Sequence, residues 1–258
     1  MTTGDTPSTL DLTVLAPAHN EQDNIDQLVD EVGRVLGELD LRFEMLIVND
    51  GSTDAKLDRL TAKMREHDWL RVLCMTDTPP GRGNGQSAAF RAGISASRGE
   101  LIALMDADLQ NDPADLPAML AALREHDADM VQGDRSANRR DTAVRRFSSW
   151  VGRTFRRVLL GDTIRDTGCS LRVMKRWVAE QLPLQYKGMH RFIPFYARVL
   201  GGKVIEQPVH HRPRIAGEAK YGVWNRLFRG LSDLRAIRWM QRRRMTYRAT
   251  EVGGGDAA

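Results

Sequence analysis

Two aspartates one residue apart are the clearest chemical feature of this 258-residue sequence. Asp106 and Asp108 directly follow the apolar run 101–105, which has the length of a buried strand. If the chain turns there, both carboxylates reach one small site, and Mg²⁺ or Mn²⁺ prefers oxygen ligands that it shares with substrate phosphates. Gln110 is a candidate for a further oxygen ligand. We predict a site for a metal and a diphosphate, and a helix-capping role is the alternative.

Two more polar clusters follow predicted strands. His19-Asn20-Glu21 follows the apolar run 12–17, and the segment 49–54, which contains Asp50, follows the run 43–48. A carboxylate such as that of Asp50 suits the ring N–H of a pyrimidine or guanine base, and the amides that begin the next helix suit polar or anionic groups. A turn whose Ser52 or Thr53 caps that helix is compatible with the same residues.

The elements that carry these clusters alternate in type. Strands are predicted over residues 12–17, 43–48, 70–75, 101–105 and 130–133, with helical patterns between them. This alternation predicts an α/β domain with a mostly parallel sheet covered by helices on both faces. Ligands bind beyond the carboxyl ends of such strands, so we expect the acidic clusters to share one cleft.

A glycine-rich loop over 81–85 follows the third predicted strand. It lacks the spacing of a dinucleotide fingerprint and does not follow the first strand, which argues against a nicotinamide site there. Glycines allow a backbone to approach a ligand closely, so a position beside the nucleotide is the better interpretation.

The second half of the chain is rich in arginine. The chain has 38 Lys and Arg against 34 Asp and Glu, a formal net charge of +4. Arginines cluster after Asp134, and from Trp224 onward they alternate with apolar residues at helical spacing. This pattern predicts a basic amphipathic helix over 224–249 with membrane-surface contact, and a solvated helix face is the alternative.

Signals for export or membrane insertion are lacking. The first eleven residues are polar, and no run reaches the ~18 apolar residues that span a bilayer. Cys74 and Cys169 are far apart in the sequence, and two reduced thiols are expected rather than a disulfide. These features predict a soluble or peripheral protein.

Three motifs together resemble the family 2 glycosyltransferases with the Rossmann-like GT-A fold. They are Pro-Ala-His-Asn-Glu at 17–21, Asn-Asp-Gly-Ser-Thr-Asp at 49–54 and Asp-Ala-Asp-Leu-Gln at 106–110. Two later segments, 166–172 and 212–221, are similar to the polyprenol-phosphate branch, which includes dolichol-phosphate mannose synthases and undecaprenyl-phosphate sugar transferases. The resemblance predicts a GT-A domain over 11–223, with disordered tails at 1–10 and 250–258.

The resemblance also implies roles for individual residues. The nucleoside would be held by Pro17, Ala18, Glu21 and Asp50. The metal and the diphosphate would be held by Asp106, Asp108 and Gln110. The acceptor phosphate would be bound by Arg135, Arg145 and Ser149, and Arg214 and Lys220 match a later basic motif that contacts phosphate.

Three positions depart from the family pattern. His19 stands where an aromatic residue is commoner, and Ala219 stands where Ser is usual. Ser170 falls near a position that is Asp in some members and is proposed there as a base, so Asp166 is the nearest alternative carboxylate. An acceptor phosphate is already anionic near neutral pH, so it needs no strong base.

The implied reaction transfers a sugar from a UDP- or GDP-linked donor to an acceptor, expected to be a polyprenyl phosphate, with Mg²⁺ or Mn²⁺ and with inversion. We expect a cytoplasmic protein peripherally associated with the inner face of the cell membrane. Nucleic acid is disfavoured as a partner, and a membrane subunit or a homo-oligomer stays open. The alternatives are a catalytically silent module that binds membranes or RNA, and a sugar-nucleotide pyrophosphorylase.

Overall fold

The computed structural model describes residues 10–78, 80–136, 143–213 and 223–245, and the side chains of 143–151 and 223–231 lie outside that description. The first half follows the predicted alternation, with each predicted strand found to within two residues. Its elements are β1 (Leu10–Ala18), α1 (Ile25–Gly37), β2 (Phe43–Asn49), α2 (Lys56–Glu66), β3 (Leu70–Cys74), α3 (Gln86–Ala96), β4 (Gly99–Leu104), a 3₁₀ turn (Pro113–Asp115), α4 (Leu116–Glu125) and β5 (Met130–Asp134).

The second half adds two strands that the sequence did not predict. Its elements are α5 (Ala143–Leu160), β6 (Arg172–Lys175), α6 (Arg176–Gln181), a 3₁₀ turn (Met189–Phe192), α7 (Ile193–Val199), β7 (Val204–Pro208) and α8 (Val223–Arg243). β6 is only four residues long, and it begins and ends with a cationic residue. Neither its length nor its pattern separates it from a loop.

The sheet has the strand order β3-β2-β1-β4-β6-β5-β7. All neighbours pair in parallel except β6, which is antiparallel to both β4 and β5. The chain order reverses direction across the sheet between β1 and β4, which is the point where open α/β sheets bind ligands. Because β6 runs the opposite way, the residues just before it lie at the same edge as the carboxyl ends of the other strands.

Side chains alternate between two cores on the two faces of the sheet. Val14 and Ala16 of β1 pack with α1 and α4 on one face, whereas Leu15 packs with α3 on the other. Gly93 of α3 allows this second contact, because a Cβ there would lie 2.2 Å from Leu15 Cδ1. The close packing holds α3, and the glycine loop before it, against β1 and β2.

Part of the apolar face of α8 is covered by protein. Leu234 and Ile237 are buried in the second core, and Arg238 donates a hydrogen bond to the Leu159 carbonyl of α5 (2.9 Å). The predicted face toward a membrane is therefore occupied by the fold at these two positions. None of the described helices combines the length and the apolar character needed to cross a bilayer.

Candidate active site

Asp50 binds the glycine loop at the end of β2. Its Oδ1 accepts hydrogen bonds from Thr78 Oγ1 (3.1 Å) and from the Asn84 amide (2.9 Å). Its Oδ2 accepts one from the Gly85 amide (2.8 Å), and a carboxylate oxygen has room for a second donor. Asp50 therefore positions the loop 81–85, and within the described part of the chain its Oδ2 accepts a single hydrogen bond.

Asp106 is held from two sides beyond the end of β4. Gln86 donates to its Oδ1 (2.6 Å), and Ser170 donates to its Oδ2 (2.6 Å). Its own amide donates to Asn111 Oδ1 (2.9 Å). Burial raises the pKa of Asp106, the hydrogen bond from Ser170 opposes that rise, and the charge of Asp108 adds to it. Both oxygens thus have fixed orientations in the site.

The turn that the D-x-D pair needs is present. Leu109 has a φ of 60°, a conformation that costs a non-glycine residue ~1–3 kcal/mol. Its side chain is buried in the first core, and the Gln110 amide donates to Asp108 Oδ1 (3.2 Å). Core packing therefore holds the backbone turn that directly follows Asp108.

The last residue of the glycine loop and the first residue of α3 connect the two acidic clusters. Gly85 donates to Asp50 and Gln86 donates to Asp106. His19 Nδ1 lies 2.6 Å from the Asp50 carbonyl oxygen, so the tip of β1 joins the same network. The structure thus places the predicted clusters along one edge of the sheet.

The residues predicted for the nucleoside lie at the ends of β1 and β2. Ala18 pairs with Asn49 in the sheet, and Pro17 pairs with Val48. The Ala18 carbonyl accepts a hydrogen bond from Lys56 Nζ (2.7 Å). Glu21 Oε2 accepts one from Asn24 Nδ2 (2.8 Å). Their assembly at one edge is consistent with a shared pocket.

The prediction that Ser52 or Thr53 caps α2 is wrong. The cap position of that helix is Ala55, without a side-chain hydrogen bond. Ser52 Oγ instead accepts hydrogen bonds from the Asn20 amide (3.1 Å) and Lys56 Nζ (2.6 Å). The fully buried Lys56 draws the hydroxyl toward β1, and its own pKa is lowered by burial.

Asp166 and Arg135 form an ion pair just before β6 and just after β5. Arg135 Nε and Nη2 donate to the two carboxylate oxygens at 2.8 and 3.1 Å. The side chains are only 11% and 9% exposed. Burial opposes the charge of Arg135, but the hydrogen bonds that Arg135 donates to Asp166, together with the negative charge of Asp166, outweigh it and raise the pKa of Arg135. The role of Asp166 as a base stays a prediction, since these contacts suit it to orient Arg135.

Some predicted phosphate-binding residues lie outside the described part of the chain. Arg145 and Ser149 belong to α5, but their side chains are not described. Arg214 and Lys220 fall in the segment between the described residues 213 and 223. Their proposed contacts stay predictions.

One buried and one half-buried residue near the site, Arg172 and His190, were missed by the sequence analysis. Arg172 of β6 donates to the carbonyls of Cys169 and His190, and burial lowers its pKa to about 10. His190 Nδ1 lies 2.9 Å from the hydroxyl of Ser87, the residue after Gln86. Burial lowers the pKa of His190 to about 3. A lone His or Arg in a sequence carries no signal of such burial.

Comparison with known proteins identifies the family of this chain. The model of Glycosyl transferase family 2 matches residues 13–182, which span β1 to α6. The chain belongs to glycosyl transferase family 2. This membership favours an enzyme over a silent binding module, and a transferase over a pyrophosphorylase.

The names of curated relatives of this family 2 glycosyltransferase refer to polyprenyl phosphates. A dodecaprenyl-phosphate galacturonate synthase of Rhizobium johnstonii is 34% identical over 242 residues, which cover 93% of this chain and 70% of the relative. An undecaprenyl-phosphate 4-deoxy-4-formamido-L-arabinose transferase of Salmonella choleraesuis is 31% identical over 223 residues. That match covers 86% of this chain but only 66% of the relative.

Solved structures share the fold at low identity. Glucosyl-3-phosphoglycerate synthase of Mycobacterium tuberculosis, in complex with Mn²⁺, UDP-glucose and phosphoglyceric acid, gives a TM-score of 0.66 at 16% identity, covering 92% of this chain and 81% of that chain. A mannosyltransferase of Pyrobaculum calidifontis, in complex with GDP-mannose and Mn²⁺, gives 0.62 at 19%, covering 91% and 66%. The fold of this family 2 glycosyltransferase is GT-A, as the resemblance implied.

Proposed function

We propose that this chain transfers a sugar from a nucleotide diphosphate sugar to a polyprenyl phosphate, with inversion at the anomeric carbon. The observation that carries the proposal is the hydrogen-bond path from Asp50 through Gly85 and Gln86 to Asp106. It joins the base-binding candidate to the D-x-D pair along one edge of the sheet. The names of the two curated relatives support the acceptor class.

On the donor side, the residues divide the nucleotide between them. Asp50 Oδ2 accepts the ring N–H of a UDP or GDP base, while Pro17 and Ala18 border the nucleoside. The glycine loop lies against Asp50, so that its backbone stays close to the donor. Glu21 completes this wall of the pocket.

A divalent cation fits the oxygen ligands that the D-x-D pair and Gln110 offer. Among the described residues, no three His, Cys, Asp or Glu side chains gather into a preformed cage. Mg²⁺ and Mn²⁺ suit such a site, because they are bound by one or two carboxylates together with substrate phosphates. Asp108 and Gln110 would hold the ion, and Asp106 would orient it or bind it. When bound, the ion neutralises charge on the leaving diphosphate.

On the acceptor side, Arg135 holds a phosphate oxygen beside the sugar. Asp166 fixes two of its nitrogens, and Nη1, which makes no hydrogen bond among the described residues, faces the incoming anion. Arg145, Ser149, Arg214 and Lys220 supply further contacts to phosphate. The anionic acceptor oxygen attacks the anomeric carbon in line, and no covalent sugar–enzyme intermediate is formed.

A lipid-linked acceptor implies a membrane nearby. We propose a cytoplasmic location with peripheral association to the inner face of the cell membrane. Oligomerisation or a membrane subunit would be compatible with this arrangement.

Asp108→Asn tests the proposal. We expect the variant to lose Mn²⁺-dependent binding of the donor and more than about a hundredfold in kcat/KM, since metal stabilisation of charge contributes several kcal/mol. The measurements are calorimetry with UDP- and GDP-sugars, and transfer to undecaprenyl phosphate. Asp58→Asn is the matched control, because Asp58 is an exposed carboxylate of α2. Unchanged turnover in Asp108→Asn would reject the metal assignment.

A further inference from the structure

A cavity of ≈ 450 Å³ lies between the second half of α5 and the loop before β6. Three of its lining residues are arginines, together with two threonines, one isoleucine and one aspartate. They are Arg153, Thr154, Arg157, Asp162, Thr163, Ile164 and Arg165. The cavity is separate from the acidic clusters that bind the donor.

The charge of this cavity is positive. Asp162 faces Arg156, whose Nε lies 3.8 Å from Asp162 Oδ2. Within the described residues, no ion pair engages the side chains of Arg153, Arg157 or Arg165. The other acid nearby, Glu206, accepts a hydrogen bond from the Arg165 amide (2.7 Å). Three arginines therefore line the cavity, and the acids beside them are Asp162, which faces Arg156, and Glu206.

The walls of the cavity are fixed. Asp162 Oδ1 accepts a hydrogen bond from the Ile164 amide (3.0 Å), and Arg156 donates to the Ile164 carbonyl (3.4 Å). Arg198 of α7 donates to Thr163 Oγ1 (2.7 Å). The loop thus has a defined conformation, in which Arg guanidinium groups can bind phosphate oxygens in pairs.

Exposed apolar side chains lie on α5, which lines the cavity, and on α8, which packs against α5. On α5, Val158 is 74% exposed and Phe155 is 43% exposed. On α8, which packs against α5, Trp239 is 61% exposed with the Arg243 guanidinium 5.7 Å from its ring centroid. Large apolar groups interleaved with arginines suit the interface of an anionic membrane, where rings and aliphatic groups enter the headgroup layer.

We propose that this cavity binds the phosphate of an anionic phospholipid headgroup and docks the enzyme on the membrane. The inference rests on the proposed function in one respect, since a lipid-linked acceptor brings the chain to a bilayer. Arg165 lines the cavity, and the next residue, Asp166, holds Arg135 at the acceptor side. Docking through this loop keeps the acceptor-binding arginine near the headgroup layer from which the substrate comes.

Arg157→Gln together with Arg165→Gln tests the docking site. The measurement is cosedimentation with vesicles of phosphatidylcholine, with and without phosphatidylglycerol. Each arginine removed should weaken binding to the anionic vesicles roughly fivefold, which corresponds to ~1 kcal/mol per basic residue. Arg34→Gln is the matched control, because Arg34 is an exposed residue of α1 on the opposite face of the sheet. Val158→Asn should also weaken binding without changing charge.

Two further measurements separate the outcomes. Mn²⁺-dependent donor binding is followed in each variant, so that a failed donor site and a failed docking site are distinguishable. Calorimetry with inorganic phosphate examines a soluble source of the same anion. Vesicle binding equal to that of Arg34→Gln would overturn the proposal, and so would loss of phosphate binding in the double variant with vesicle binding intact.

Discussion

The two halves of the strand edge hold their carboxylates in different ways. On the donor side, every hydrogen bond that Asp50 and Asp106 accept from a described residue comes from a neutral group, namely a backbone amide, a hydroxyl or a glutamine amide. On the acceptor side, Asp166 pairs with Arg135 and Asp162 faces Arg156. Aspartate is therefore stabilised by neutral hydrogen-bond donors on the donor side and by arginine side chains on the acceptor side.

This difference separates charge across the site. A carboxylate that is bound by neutral donors receives no counter-charge from them, whereas the charge of an ion-paired one is cancelled by its partner. The carboxylates of the donor side are therefore left to be matched by a cation that bridges a diphosphate. On the acceptor side, Asp166 and Asp162 are matched by Arg135 and Arg156. Other arginines there can bind anions. A transferase that joins an electrophilic sugar to a phosphate uses both environments.

Breaking the Asp166–Arg135 pair should have the largest effect on stability. Asp166→Asn leaves a buried guanidinium without its counter-charge, and removing one member of a buried pair costs about 3–5 kcal/mol. The free energy of unfolding in urea measures this cost. Asp11→Asn is the control, since the Asp11–Arg42 pair is exposed and such pairs contribute about 0–1 kcal/mol.

The double variant Asp166→Asn with Arg135→Gln should recover part of the lost stability, because no buried charge stays unmatched. Acceptor transfer should not recover with it, since Arg135 is the proposed phosphate contact. Equal losses for Asp166→Asn and Asp11→Asn would show that the acceptor side does not depend on ion pairing.

The donor side was predictable because its signals are local. Each acidic cluster directly follows an apolar run, and five such runs fixed the strands from β1 to β5. Parallel pairing then brings Asp50 and Asp106 to one edge. The hydrogen bonds that Asp50 accepts from the glycine loop were not predictable, since they depend on how a loop folds back after β3.

The acceptor side was harder to predict because the positions of its residues depend on the antiparallel strand β6. That strand has four residues with Arg172 in its first position, and no periodicity marks it. Its direction decides that Ser170 and Asp166 reach the same edge as Asp106. The motif at 166–172 indicated a role for this segment only through its resemblance to the family.

Acid titration provides a second, smaller effect on the donor side. His190 is neutral in the folded chain, because burial and the charges of Arg191 and Arg172 lower its pKa from 6.5 to about 3. Below pH 6.5 the His190 imidazole binds a proton in the unfolded chain but not in the folded chain. Stability is therefore present above that pH and lost as the pH falls, by about 2 kcal/mol between about pH 7 and about pH 5.

His190→Gln should remove this part of the acid sensitivity, since glutamine can still hydrogen-bond Ser87 but does not titrate. Urea unfolding at both pH values measures it. His210→Gln is the control with the opposite sign, because Asp115 raises the pKa of His210, so that His210 contributes stability at low pH. If the dependence of stability on pH were unchanged in His190→Gln, the half-buried imidazole of His190 would not be neutral in the folded chain.

The smallest expected effect concerns the loop that joins the two acidic clusters. Gly83 has a φ of +64°, and a Cβ there would lie 3.0 Å from Asp50 Oδ2. Gly83→Ala should cost about 1–2 kcal/mol for the left-handed conformation and should push the loop away from Asp50. Because the proposed donor contact is made by the same oxygen, the KM for the donor should rise while kcat changes little. Gly37→Ala is the control, since a Cβ at the end of α1 meets nothing within 4 Å. A normal donor KM in Gly83→Ala would mean that neutral loop contacts do not shape the anionic side of the site.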